Sequence, residues 1–244
     1  MPQNRFLIID ILRTCALALM ILYHLIYDLD QWTNLNIDVN APFWFVLGKA
    51  AALLFIFLSG ISSGLSKRPV KNGLRVLFFG MIITLVTYVA FPEQYVRFGI
   101  LHFLGVMMLL YPLIQKLPNS ALIVGSFLLI ACGFVLQDKV VNTPLLLPLG
   151  LMYPGFSTID YYPLLPYGGV TLLGVLSYRY YFASQKAVKK VSNRNKESST
   201  PKEKKRATYS MVTWISRHSL WIYLTHQPIL LALIFGLKIL KFIT

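Results

Sequence analysis

The chain has 244 residues, of which 56% are hydrophobic and 13% charged, with a formal net charge of +14 and a mean hydropathy of +0.62. A soluble domain carries about 25% charged and about 45–50% apolar residues, so a soluble globule, a disordered chain and a nucleic-acid-binding domain are excluded. The surplus charge is local, because residues 184–208 hold nine Lys/Arg and two Glu and so supply half of it.

Apolar runs of about 17–25 residues cross the hydrocarbon core as helices. Seven such runs occur, at 6–27, 43–65, 73–91, 99–116, 120–137, 165–183 and 211–237. The pattern predicts an all-α polytopic membrane protein lying in the cell membrane. Residues 138–164 are also apolar, but Pro144, Pro148, Gly150, Pro154, Gly155 and Pro163 interrupt them, and they read as a loop or re-entrant segment. Asp10 and Arg13 break the first run, and no small-residue cleavage site follows it, so it reads as a span rather than a cleaved signal. Cys15 and Cys132 each lie inside an apolar run and imply no disulfide framework.

Lys and Arg set the orientation. With the N-terminus in the cytoplasm, Arg5, Lys67, Arg68, Lys71, Arg75, Lys116 and the nine of 184–208 lie inside, fifteen in all. Only four, Arg97, Lys139, Lys238 and Lys241, then lie outside. The expected organisation is a membrane domain of six spans over 1–183, a basic cytoplasmic linker over 184–208, and a last span within 209–244 that ends outside and completes the same domain. The linker reads as a topology anchor drawn to anionic lipid.

The first span carries Asp10, Arg13, His24 and Asp28. At 3.6 residues per turn, Asp10 and Asp28 are five whole turns apart and point the same way. Arg13 and His24 fall within about 60° of that direction, about 16 Å apart along the axis. Intramembrane ionisable groups are costly and usually mark function, and a carboxylate four residues after His24 is placed to orient its imidazole. In the same topology His102 and His226 lie at a depth similar to His24, while Arg217 and His218 lie deeper toward the cytoplasm. Ser219, Tyr223 and His226 share one face of the last helix within about 40°. These groups predict a convergent polar pocket. The plainer alternatives are an Asp10–Arg13 ion pair, and His102 and His226 satisfying interhelical hydrogen bonds.

Arg13 and His24 form an R-x10-H pattern in a first membrane helix, which resembles the acyltransferase-3 membrane acetyltransferases. Around it stand, in order, IDILRTCALALMILYHLIYDL (9–29), FIFLSGISSGLSK (55–67), FGILHFLGV (98–106), STIDYYPLLPYGGVTLLG (157–174) and ISRHSLWIYLTHQPIL (215–230). The series resembles bacterial relatives of the heparan-α-glucosaminide N-acetyltransferase catalytic domain, over most of the chain except the basic linker. The resemblance implies transfer of an acetyl group from cytosolic acetyl-CoA to an extracytoplasmic sugar or glycan, on either a hydroxyl or an amine. It also implies a catalytic histidine in the loop after the first helix. Residues 29–42 contain none, so the role falls to His24 or another histidine.

Acyl transfer from a thioester needs a base and donors for the oxyanion. Neutral imidazole suits the first task, so His24 is the expected base with Asp28 as its orienter. His102, Ser219, Tyr223 and His226 are candidate oxyanion or acceptor contacts. Arg13 is a candidate for the pantetheine or diphosphate, and Lys67, Arg68 and Arg75 for the CoA phosphates. Asp160, beside Tyr161 and Tyr162 in the outer loop, is a candidate sugar contact. A transporter using the polar stripe is the alternative, although the spans show no matched halves. A metal site on His24, His102 and His226 lacks any H-x-x-x-H or H-E-x-x-H spacing. Expected partners are acetyl-CoA, the glycan acceptor and the bilayer, with a homodimer left open.

Overall fold

The computed structural model describes residues 7–35, 37–39, 41–183 and 211–240; the basic segment 184–208, Arg5 and Lys241 lie outside them. The described residues contain no strand, only two isolated bridges, Phe98 with Tyr161 and Val140 with Met152. The helices are α1 Leu7–Trp32, α2 Pro42–Leu65, α3 Pro69–Ala90, α4 Ile100–Ile114, α5 Asn119–Leu136, α6 Leu164–Ser177 and α7 Ser219–Ile239. A further helical stretch, 211–217, leads into α7 and is parted from it at His218. A 3-10 turn over Pro144–Leu149 is the one helical element between α5 and α6, so the proline-broken stretch is a loop, as its sequence predicts.

Five helices, α1, α2, α3, α5 and α7, are long and apolar enough to cross a membrane. The expected count of seven differs because α4 has 15 residues and α6 has 14. In α6 the first turn is interrupted at Leu165, with φ −102° and ψ 127°, and a π-helical segment, Tyr178–Ala183, continues its far end. Local chemistry sets several boundaries. Pro69 opens α3, where a missing N–H costs nothing. Thr143 caps the 3-10 turn by accepting from the Leu145 N–H, and Gly150, at φ 113°, closes it in a left-handed conformation that a side chain would strain.

The chain forms two compact units, residues 1–55 with 198–244, and residues 56–197. In the first, α1 runs parallel to the stretch 211–217 and to α7, in contact from Arg13 with Ser216 near one end to Trp32 with Phe235 and Lys238 at the other. Leu17, Met20 and Ala51 form its buried core, packed by Phe55, Ile215, Ile222 and Tyr223. In the second, α3 packs on α4 and α5 on α6. A Cβ on Gly60 of α2 would collide with the Thr171 carbonyl, and one on Gly174 of α6 with the Phe57 carbonyl. In lipid, where apolar burial gives little drive, such backbone-close crossings supply packing energy. Arg179 holds one end together by donating to the carbonyls of Ile114, Gln115 and Leu117 and to the Asn119 side chain, satisfying the loose carbonyls at the end of α4. The outer faces are oily: Phe78, Leu85 and Val89 on α3 and Phe127, Phe134 and Val135 on α5 are exposed. A patch of that extent suits lipid rather than water.

Candidate active site

The seam between α1 and α7 brings His24 and His226 together, with ring centroids 4.8 Å apart in edge-to-face contact. The His24 Nδ1 lies 2.9 Å from the Met20 carbonyl oxygen, one turn back. A carbonyl only accepts, so Nδ1 carries the proton and Nε2 keeps its lone pair. His226 repeats the arrangement through Nδ1 and the Tyr223 carbonyl. Its Nε2 is buried and has no hydrogen-bond partner among the described residues. Tyr223 flanks the pair, its ring 5.5 Å from His226. Ser219 lies one helical turn before Tyr223, on the same half-buried face of α7.

Asp28 lies in the same seam, but its expected contact with His24 is not made. The carboxylate, 1% exposed, accepts two hydrogen bonds from the Gln227 Nε2 at 2.8 and 3.0 Å. The imidazole turns back to its own helix because a carbonyl one turn away lies within reach of Nδ1. Asp28 therefore anchors Gln227, the neighbour of His226, and ties α1 to α7. The Gln227 Oε1 is left buried and without a partner among the described residues.

Nearer the start of α1, Arg13 donates to the Ser216 hydroxyl at 2.7 Å, and that hydroxyl donates to the Asp10 carboxylate at 2.6 Å. Arg13 and Asp10 approach to 3.9 Å. The ion pair therefore holds 211–217 against α1, a role that the expected donor contact did not include. Arg217 is exposed, and His218 bonds back to the Trp214 carbonyl.

His102 and Asp160 belong to the other unit, and both are committed to the start of α4. The His102 Nδ1 accepts from the Gly99 N–H, and Nε2 donates to the Thr84 hydroxyl, which donates to the Val96 carbonyl. Both ring nitrogens are thus bonded and only 4% of the residue is exposed, which matches the plainer alternative of a histidine satisfying interhelical hydrogen bonds. Asp160 accepts from the Ile100 N–H at 2.9 Å, capping α4 across sixty residues of chain. A carboxylate there also meets the positive end of the helix dipole. Asp160→Ala is expected to cost about 0.5–2 kcal/mol of stability, with Asp160→Asn restoring most of it; thermal melting in detergent checks this.

Lys67, Arg68 and Arg75 stand exposed on the turn between α2 and α3 and the first turns of α3. Their side chains carry no hydrogen bond or ion pair among the described residues, so they present an uncompensated cationic surface. Such a surface suits phosphates and anionic lipid headgroups alike. No group of three or more His, Cys, Asp or Glu placed to hold a metal occurs among the described residues.

Sequence reasoning missed Gln227, Ser216 and Arg97. Gln227 had a readable signal, a polar amide beside His226 inside an apolar run. Ser216 had none, since a serine in a membrane helix usually bonds its own backbone. Arg97 reads in the sequence only as one of the few cations of the expected outer loops.

No curated protein matches the chain, and no solved structure does. The model of one family, heparan-alpha-glucosaminide N-acetyltransferase, catalytic, matches residues 5–228. The match runs through α1 with its Arg13 and His24, through both units and as far as His226 and Gln227 on α7, and the chain belongs to that family of membrane acetyltransferases.

Proposed function

We propose that the protein moves an acetyl group from cytosolic acetyl-CoA to a hydroxyl or amine of an extracytoplasmic sugar or glycan, at the plasma membrane. The observation that carries this reading is the histidine pair. Two imidazoles, each locked with its proton on Nδ1, offer two Nε2 lone pairs, and Gln227 adds a buried amide oxygen without a donor. Three acceptors in one seam call for a ligand that donates, and the O–H or N–H of a nucleophilic acceptor is such a donor.

His24 takes that proton as the nucleophile attacks the acetyl carbonyl. The carbon–sulfur bond breaks, and the proton passes to the departing thiolate, giving CoA thiol and the acetylated acceptor. Asp28 and Gln227 hold His226 in place, and Tyr223 and Ser219 are the hydroxyls available to the oxyanion or the acceptor. Lys67, Arg68 and Arg75 meet the CoA phosphates at the inner surface. Arg13 fixes the inner end of the seam along which the donor's arm enters.

Seven spans, with α4 and α6 completed by their flanking segments, place the N-terminus in the cytoplasm and the C-terminus outside. The parallel course of α1 and α7 supports an odd number of crossings, and the Lys/Arg asymmetry supports the direction. Purified protein given labelled acetyl-CoA and a glycan extract should release CoA thiol and transfer the label to carbohydrate in equal amounts. Label that crosses proteoliposomes without thiol release would replace the enzyme with a transporter.

A further inference from the structure

A base in acyl transfer must present its lone pair in one direction, and the contact of His24 with the Met20 carbonyl does not fix that direction alone. The same carbonyl accepts the helical N–H of His24, four residues on in α1. The terminal torsion of a histidine has two broad wells half a turn apart. A flip between them would withdraw Nδ1 from the carbonyl and re-aim the Nε2 lone pair. Packing has to close that freedom, and two rings do so. His226 meets the imidazole edge-to-face at 4.8 Å and 79°. Tyr23 meets it in the same manner at 5.7 Å and 86°.

Tyr23 is itself braced. A Cβ built on Gly48 of α2 would lie 2.8 Å from the Tyr23 Cδ2 and Cε2 atoms and 3.0 Å from Cζ, so the phenol ring rests against bare helix backbone. One turn further along α2, Ala51 is buried and packs with Leu17 and Met20. Gly48 and Ala51 thus turn small residues toward the two residues of α1 that hold His24, Met20 through its carbonyl and Tyr23 through its ring. Such residues let membrane helices approach to backbone distance. Tyr27 adds a further ring, 6.4 Å from that of Tyr23.

We propose that Tyr23 is a positioning residue for the base: braced on Gly48, its ring keeps the His24 imidazole in the orientation that leaves the proton on Nδ1 and the lone pair on Nε2. The role is exerted through His24, and it belongs to the aromatic ring rather than to the hydroxyl. The assignment rests on the proposed reading of His24 as base. A misplacement of about 1 Å in a catalytic constellation costs up to about 10²-fold in rate, which sets the scale of the effect.

The test pairs nitrogen NMR of the histidine-labelled, full-length protein in detergent with turnover of acetyl-CoA. The His24 signal is the one lost in His24→Ala, and in the wild type it should report a single tautomer protonated on Nδ1. Tyr23→Ala should mix the two tautomers and lower kcat by about tenfold or more, with KM for acetyl-CoA unchanged. Tyr23→Phe keeps the ring and should restore both readouts. Gly48→Ala pushes the ring aside and should reproduce Tyr23→Ala in kind. In a Tyr23→Ala background it should add nothing, as expected of one coupled contact. A His24 tautomer unmoved in Tyr23→Ala, a Tyr23→Phe protein as impaired as Tyr23→Ala, or a Gly48→Ala effect that persists without Tyr23 overturns the proposal. If Tyr23→Ala fails to fold, the His24 tautomer in Gly48→Ala decides alone. A tautomer that depends on Tyr23 in a protein that consumes no acetyl-CoA sinks the enzyme and leaves the brace. Turnover with a tautomer indifferent to Tyr23 sinks the brace and leaves the enzyme.

Discussion

His24→Ala is expected to lower acetyl transfer by about 10²–10⁴-fold, the usual worth of a general acid–base group, while the protein still inserts and binds acetyl-CoA. The substitution removes the Nε2 lone pair and leaves the Met20 carbonyl to its own helical bond, so the fold loses little. His226→Ala should cost less than His24→Ala if His226 only holds the acceptor, and as much if both imidazoles carry the proton. The double variant separates these outcomes, since members of one proton path are not additive. In the wild type kcat/KM should fall at acid pH, because an imidazole protonated on Nε2 is no longer a base. A folded His24→Ala protein with near-normal turnover would move the chemistry out of this seam. Label release from acetyl-CoA, measured across pH for each variant, reads all of these outcomes.

The second large effect is expected at Arg13. Asp10 is 3% exposed and joined to Arg13 both directly and through Ser216. Leaving the buried Asp10 carboxylate without its half-buried partner should cost up to about 3 kcal/mol, the low end for a fully buried pair, so Arg13→Ala should show a clear fall in melting temperature in detergent. Arg13→Lys should recover part of it, because it restores the charge without the planar fork. Ser216→Ala should fall between them. An unchanged melting temperature with a raised KM for acetyl-CoA would instead give Arg13 to the donor alone.

Much of this protein is legible in its sequence because the bilayer is a severe filter. Backbone groups in lipid must bond within their own segment, so apolar length alone located α2, α3 and α5 to within about four residues at either end, while α1 runs on to Trp32 and α7 starts only at Ser219, after the break at His218. The prolines between Gln137 and Leu164 marked a loop for the same reason. Period arithmetic put Arg13, His24 and Asp28 on one stripe of α1, and Ser219, Tyr223 and His226 on one face of α7, because a helix fixes direction locally. The resemblance to the acetyltransferase family rests on an ordered series of short segments, and the family model's match over residues 5–228 agrees with it; that too is a property of the chain read in line.

Partner choice was decided elsewhere. A histidine's ring reaches a carbonyl one turn back as readily as a carboxylate one turn on, and only packing determines which. So Asp28 went to Gln227 and His24 to Met20, and two histidines 202 positions apart in the chain came to stacking distance. His102 and Asp160 carry the residue types of a site, yet the start of α4 consumed both, because unpaired helix N–H groups and a histidine's two nitrogens must be satisfied wherever they are buried. Sequence determined which residues lie in the membrane and which way they point along each helix. Tertiary structure decided which polar atoms remain unsatisfied among the described residues, because that depends on helices whose meeting no local pattern encodes.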